Sequence, residues 1–102
     1  MIALALALAQ AELPPPPFQA VGQYLYWHRC MVDGAEAMAG GDRAPEEILE
    51  FKWRDCRHHE RRMQAELDAH QPGHAAAQME RYRAMIRERT LAAIARRRRS
   101  AN

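Results

Sequence analysis

The chain has 102 residues and a formal net charge of +2, so it forms one domain at most. Hydrophobic residues make up 48% of the chain, but alanine inflates this figure, and valine occurs only twice and isoleucine four times. With so few β-branched apolar residues and no run that alternates apolar and polar, a β-sheet has little to be built from. The composition therefore predicts an all-α fold.

The charge is unevenly distributed along the chain. Residues 12–50 carry seven acids against two arginines, whereas residues 51–102 carry thirteen bases against six acids, which gives formal charges of about −5 and +7. Such a split either offers a basic surface to an anionic partner or allows the two halves to face each other. We favour the second interpretation, because it requires no partner.

The first residues, Met1–Ala11, form an apolar run that ends with small residues at the two positions that a signal peptidase inspects. This pattern predicts a signal segment and Glu12 as the mature start, although no Lys or Arg precedes the run and ordinary signals have about 15–30 residues. The alternatives are an apolar arm that packs on the protein and a membrane anchor. The run is far shorter than the ~20 residues needed to cross a bilayer, so we predict no transmembrane span.

Four consecutive prolines, Pro14–Pro17, follow this run. They cannot continue a helix and favour an extended polyproline segment. We therefore interpret residues 12–17 as a proline-rich spacer before the folded body, with a ligand for an aromatic groove as the alternative.

A first helix is predicted over about residues 18–39, because apolar side chains recur at helical intervals. Gly40 and Gly41 provide the turn that ends it. Its apolar positions are Val21, Tyr24, Leu25, Trp27, Cys30, Met31, Ala35 and Met38.

Two more helices are predicted, over about residues 45–70 and 74–97, within a helical domain of residues 18–95. Pro45 suits a first helical turn, and the glutamates that follow are favoured by the helix dipole. Pro72 and Gly73 then break the pattern. The second apolar seam consists of Leu49, Trp53, Cys56, Met63 and Leu67; the third is thinner, with Met79, Tyr82, Ile86, Ala93 and Ile94.

The two cysteines, Cys30 and Cys56, are predicted to form a disulfide. Each lies ten or eleven residues from the turn between the first two helices, so both are ~15 Å from the bend at the rise of an α-helix. Both also lie on the apolar seams of their helices. There the two Cα atoms can approach to about 6 Å, the separation that a disulfide requires. The bridge would stabilise the fold by roughly 3 kcal/mol. Two reduced, buried cysteines are the alternative in a reducing cytoplasm.

Motifs for chemistry are weak. His28 and His59 could join Cys30 and Cys56 in a Cys₂His₂ zinc site, but no Cys-x-x-Cys pair supports it, and His59 begins a zinc-protease pattern that fails at Met63. The chain has one threonine, one serine and no glycine-rich phosphate loop. We predict no metal, no cofactor and no enzymatic activity.

Four aromatic residues fall at helical intervals or on the second seam and could line a small pocket between helices. We favour the interpretation that they form the core of the bundle. These residues are Tyr24, Tyr26, Trp27 and Trp53.

Residues 96–102 are predicted to be a basic tail, and its four arginines are candidates for contact with an anion. In the cytosol such a tail would bind nucleic acid mainly through phosphates, whereas outside it would contact anionic lipid or an acidic protein. Nucleic acid is accordingly not expected as the partner of an exported form. The candidates are Arg96, Arg97, Arg98 and Arg99.

Together these patterns predict an antiparallel helical hairpin, clamped by one disulfide, with a third C-terminal helix. We expect a periplasmic or secreted, non-enzymatic protein that acts through contacts with another protein or with the envelope, and a homodimer is possible. The alternatives are a cytosolic basic protein that binds nucleic acid through its arginine-rich half and a small metal-binding module.

Overall fold

Four α-helices and no strand occupy residues 13–101, the part of the chain that the computed structural model describes. They are α1 (Phe18–Met38), α2 (Pro45–Asp55), α3 (Arg57–His70) and α4 (Ala75–Ser100). The predicted all-α class is confirmed. Across these residues, no helix combines the length and the apolar character that are needed to cross a membrane. The predicted signal segment or arm at residues 1–11 lies outside the described part.

The prediction of three helices is wrong in its second member, because a turn at Cys56 divides it into α2 and α3. The backbone of Cys56 has φ −97° and ψ 10°, outside the α-helical region. Its amide still donates to the Lys52 carbonyl at 2.8 Å, but its carbonyl accepts from the His59 amide at 3.1 Å in the tighter i→i+3 pattern. The apolar seam passes through Cys56, so hydrophobic spacing alone does not reveal this turn.

The last helix extends to Ser100, so Arg96–Arg99 are helical and not a separate tail. Arginine has a high helix propensity, and cations in a last turn interact favourably with the helix dipole. The final turns are also held by side-chain contacts to the α1–α2 turn, which the sequence pattern does not show.

Helix α1 contacts each of the other three helices. It runs antiparallel to α2 and α3, since Cys30 pairs with Cys56 and the Tyr26 ring stacks on that of His59. It runs in the same direction as α4, because Tyr24 lies against Tyr82 with ring centroids 4.8 Å apart, and Glu36, later in α1, pairs with Arg96, later in α4. The predicted hairpin is therefore present, and α4 covers its open face.

Gly34 allows α1 and α2 to approach closely. A Cβ atom at this position would overlap the Cε and Nζ atoms of Lys52, which crosses α1 there. Lys52 is only 8% exposed, and its ammonium group donates to the Asp55 carboxylate at 2.6 Å. The glycine thus provides space for a lysine side chain to lie along the helix with its charge paired at the surface.

The core consists of one large cluster to which all four helices contribute and a smaller one near the α1–α2 turn. Trp27 is fully buried and lies 6.0 Å from the Trp53 ring, while Tyr26 is largely exposed. The favoured core interpretation of the aromatic residues therefore describes Trp27, Tyr24 and, in part, Trp53. The largest fully buried apolar side chains are Trp27, Met31, Ile48, Leu49, Met63, Leu67, Met79, Ile86 and Ile94.

The proline segment lies against the body of the protein. The Gln71 side-chain amide donates to the Pro15 carbonyl at 2.7 Å, and that of Gln78 donates to the Pro14 carbonyl at 2.8 Å. Gln78 is fully buried. Since proline carbonyls have no partners in a helix or sheet here, these two glutamines fix the segment across the α3–α4 junction.

Candidate functional site

The Cys30–Cys56 disulfide is present, as predicted, and joins α1 to the turn between α2 and α3. The Cα atoms are 5.9 Å apart, which is the separation expected for a bridge across an antiparallel pair. Cys56 is completely buried and Cys30 is partly buried. The bridge therefore acts as a structural link inside the core.

The metal alternative finds little support around this bridge. Within the described residues, the group with metal-ligand spacing is Cys30, Asp55 and Cys56, whose ligand atoms lie within 4.8 Å of one another. Both sulfurs are bonded to each other, so neither is available as a thiolate. No histidine belongs to this group.

The two histidines of the zinc alternative, His28 of α1 and His59 of α3, pack against different aromatic rings. His28 lies beside Tyr24, and burial, followed by the charge of Arg89, lowers the pKa of its imidazole. His59 stacks on Tyr26, and burial, with smaller contributions from His58 and Arg62, lowers the pKa of its imidazole. Both rings are therefore favoured in the neutral form, which suits packing against aromatic neighbours.

Arg98 of the predicted anion-binding set is used inside the protein. Its guanidinium donates to the carbonyls of Ala39 and Gly41 at 3.2 Å and to that of Arg43 at 2.5 Å. These carbonyls belong to the end of α1 and the turn after it, where backbone acceptors lack helical partners. Arg98 thus caps one helix from another.

The other three arginines of the set differ in their surroundings. Arg96 donates to the Glu36 carboxylate at 3.2 Å, whereas Arg97 and Arg99 are exposed. Arg97 borders a cleft of about 390 Å³ between the α1–α2 turn and the end of α4. The four side chains therefore do not converge on one anion.

Arginines of α4 pair with one glutamate from each of the other helices, and two of these three pairs join the basic half of the chain to its acidic half. Each pair lies at the surface and adds little stability on its own, but together the pairs connect the basic helix α4 to each of the other helices. The pairs are Arg96–Glu36 with α1, Arg87–Glu46 with α2 and Arg83–Glu60 with α3.

An apolar stripe lies on the outer face of α1, and its exposure is a feature that hydrophobic spacing alone does not decide. Phe18 is 88% exposed, Leu25 60% and Val21 38%, and these positions lie three, four or seven residues apart, on one side of the helix. Gly22 lies among them with open space beside it. The apolar positions predicted for this helix therefore lie on two faces, and Val21 and Leu25 belong to the face that the other helices leave uncovered.

Basic side chains border this stripe, which we define as Phe18, Val21, Gly22 and Leu25. Arg29 follows Leu25 by one turn on the same face. On the α4 side, Arg89 donates to the Tyr24 hydroxyl at 3.0 Å. On the α3 side, Arg62 lies one helical turn after His59, whose ring stacks on exposed Tyr26.

Acidic groups are sparse at this position. Helix α1 has no acid in its first turn, and Asp33 is its first carboxylate, two turns beyond Leu25. Glu66 of α3 lies 3.5 Å from the His70 ring, with which it pairs when the imidazole is protonated. The stripe is therefore an apolar surface with a mainly basic border.

Comparison of the chain with family models, with curated proteins and with solved structures finds no match in any of the three. Functional inference therefore starts from the side chains themselves.

Proposed function

We propose that this is an exported, non-enzymatic helical protein that acts by contact, using the stripe on α1 to dock in the cell envelope. The observation that carries the proposal is the exposure of Phe18, Val21 and Leu25 on a helix whose opposite face already forms the core. Exposing this apolar area to water is unfavourable, and contiguous apolar patches on small proteins commonly mark interaction sites.

The disulfide supports the exported location. Disulfides persist in oxidising compartments such as the periplasm and are rare in the cytosol. Here the bridge closes a sequence separation of 26 residues between helices that form a small core. A protein of this size gains a large part of its stability margin from such a link.

Cell fractionation combined with thiol trapping tests this proposal. We expect the protein in the periplasmic or secreted fraction, with both cysteines resistant to a thiol-reactive maleimide until a reductant is added. A cytosolic protein whose two thiols react at once would contradict the proposal. The same experiment on Cys30→Ala/Cys56→Ala controls for maleimide that attaches elsewhere.

The nucleic-acid alternative is less well supported by the side chains. It was motivated by the arginines of the second half, but Arg98 caps α1 and Arg96 pairs with Glu36. Phosphate binding would require these groups to exchange their partners. A salt-sensitive interaction with oligonucleotides, lost when Arg97 and Arg99 are replaced by Gln, would restore this alternative.

A further inference from the structure

The surroundings of the stripe identify the kind of surface that it fits. Phe18, at the start of α1, projects almost fully into solvent, and Leu25 lies two turns further along the same face. An apolar helix face bordered by arginine is the arrangement found where a helix lies in the interfacial region of a bilayer. Aromatic and aliphatic side chains then enter the acyl boundary, while the bases remain among the head groups.

We infer that the stripe docks on the surface of a bilayer that contains anionic phospholipid, which gives the envelope contact of the proposed function a definite partner. The inference rests on that proposed function. Arg29, Arg62 and Arg89 would lie at head-group level, where each base near an anionic surface strengthens binding. The helix would lie along the surface without spanning it.

A second copy of the chain fits the stripe less well. A two-fold dimer brings the same surface of both copies together, so the basic borders would face each other. The stripe also has only one aromatic side chain, Phe18, which contributes about 150–250 Å², while Val21 and Leu25 are only partly exposed. A standard interface buries about 800 Å² per partner. A bilayer surface does not require a protein interface of this area, and its anionic charge is complementary to the arginines that border the stripe.

Vesicle co-sedimentation of the full, oxidised chain tests the inference. We expect binding to vesicles of phosphatidylcholine with phosphatidylglycerol, weak binding to phosphatidylcholine alone, and weakening as NaCl is raised from about 50 to about 300 mM. The double variant Phe18→Ser/Leu25→Ser should lower the affinity for these vesicles by at least about tenfold, because it removes the apolar contacts.

Matched controls separate the stripe from general surface properties. Phe51→Ser removes another exposed apolar side chain, on α2, and should leave vesicle binding unchanged. Arg29→Gln/Arg62→Gln should weaken binding to anionic vesicles more than Arg54→Gln/Arg97→Gln, which makes the same change in net charge elsewhere. Urea unfolding of every variant verifies that the fold is retained.

Insertion has its own optical readout. Phe18→Trp should show a blue shift of its emission on adding anionic vesicles, whereas Phe51→Trp should not, since only the first position enters the acyl boundary. The two native tryptophans contribute equally to both variants. Equal responses of the two variants would contradict insertion by the stripe.

Three results would overturn the inference. They are failure to bind any vesicle, binding that the double serine variant retains in full, and a dimer in sedimentation velocity that this variant abolishes. The last would identify a second copy as the partner. None of them bears on the compartment or on the state of the thiols. The proposal of an exported protein could therefore stand when lipid binding is disproved, and lipid binding could stand when export is disproved.

Discussion

Single side chains at helix ends show how the surface arginines of this protein serve its fold. Arg98 reaches three carbonyls of the α1–α2 turn, whereas the guanidinium of its neighbour Arg97 is exposed and donates no hydrogen bond to the described residues. Two adjacent residues of the same type therefore have different roles. The direction in which each lies around α4 decides which role it takes.

We expect Arg98→Ala to lower the free energy of unfolding by about 1–3 kcal/mol, because hydrogen bonds from a charged donor to otherwise unpaired carbonyls are lost. Arg97→Ala, the matched control, should change it by less than about 0.5 kcal/mol. Urea denaturation followed by circular dichroism measures both. Equal effects of the two substitutions would argue against the capping role.

At the scale of elements, the disulfide and the turn at Cys56 organise the pairing of α1 with α2 and α3. Cys56 ends α2, precedes α3 and is bonded to Cys30 of α1, so one residue connects three helices. Lys52 crosses α1 at Gly34 one turn earlier. The link therefore fixes the register of α1 against its neighbours as well as joining them.

Reduction of the disulfide should lower the free energy of unfolding by roughly 3 kcal/mol, since the unfolded chain regains the freedom of a loop of this length. For a domain of this size that corresponds to a fall in Tm of about 12–24 °C. Thermal melts with and without reductant measure it. The variant Cys30→Ala/Cys56→Ala should have the same Tm with and without reductant. If the Tm of the parent protein is also unchanged by reductant, the disulfide does not stabilise the fold.

For the whole molecule, packing of histidines against aromatic rings links stability to pH. The imidazole pKa is lowered in the fold at His28 and at His59, in both cases chiefly by burial. The unfolded chain then binds more protons than the folded chain below its own histidine pKa of about 6.5. Stability from this source is complete above that pH and declines as the pH falls through it.

We accordingly expect the urea midpoint to fall between pH 7.5 and pH 5.5, and to fall less in His28→Gln/His59→Gln. The double variant removes both groups that must take up protons on unfolding. His74→Gln replaces an exposed histidine that has no ion-pair partner among the described residues, and is the control. A pH dependence that the first variant leaves unchanged would show that other groups control it.

The sequence by itself determined the helical class, the start of each main helix and the cysteine pairing. Apolar spacing, Gly40–Gly41, Pro45 and the equal distances of Cys30 and Cys56 from the turn are local signals, and local signals are sufficient for these features. Tertiary structure decided the break at Cys56, the helical state of Arg96–Arg99 and the exposure of the stripe. These depend on which face of α1 its neighbours cover and which carbonyls Arg98 reaches. A helix that is apolar on both faces does not reveal, from its own residues, which face will remain in contact with water.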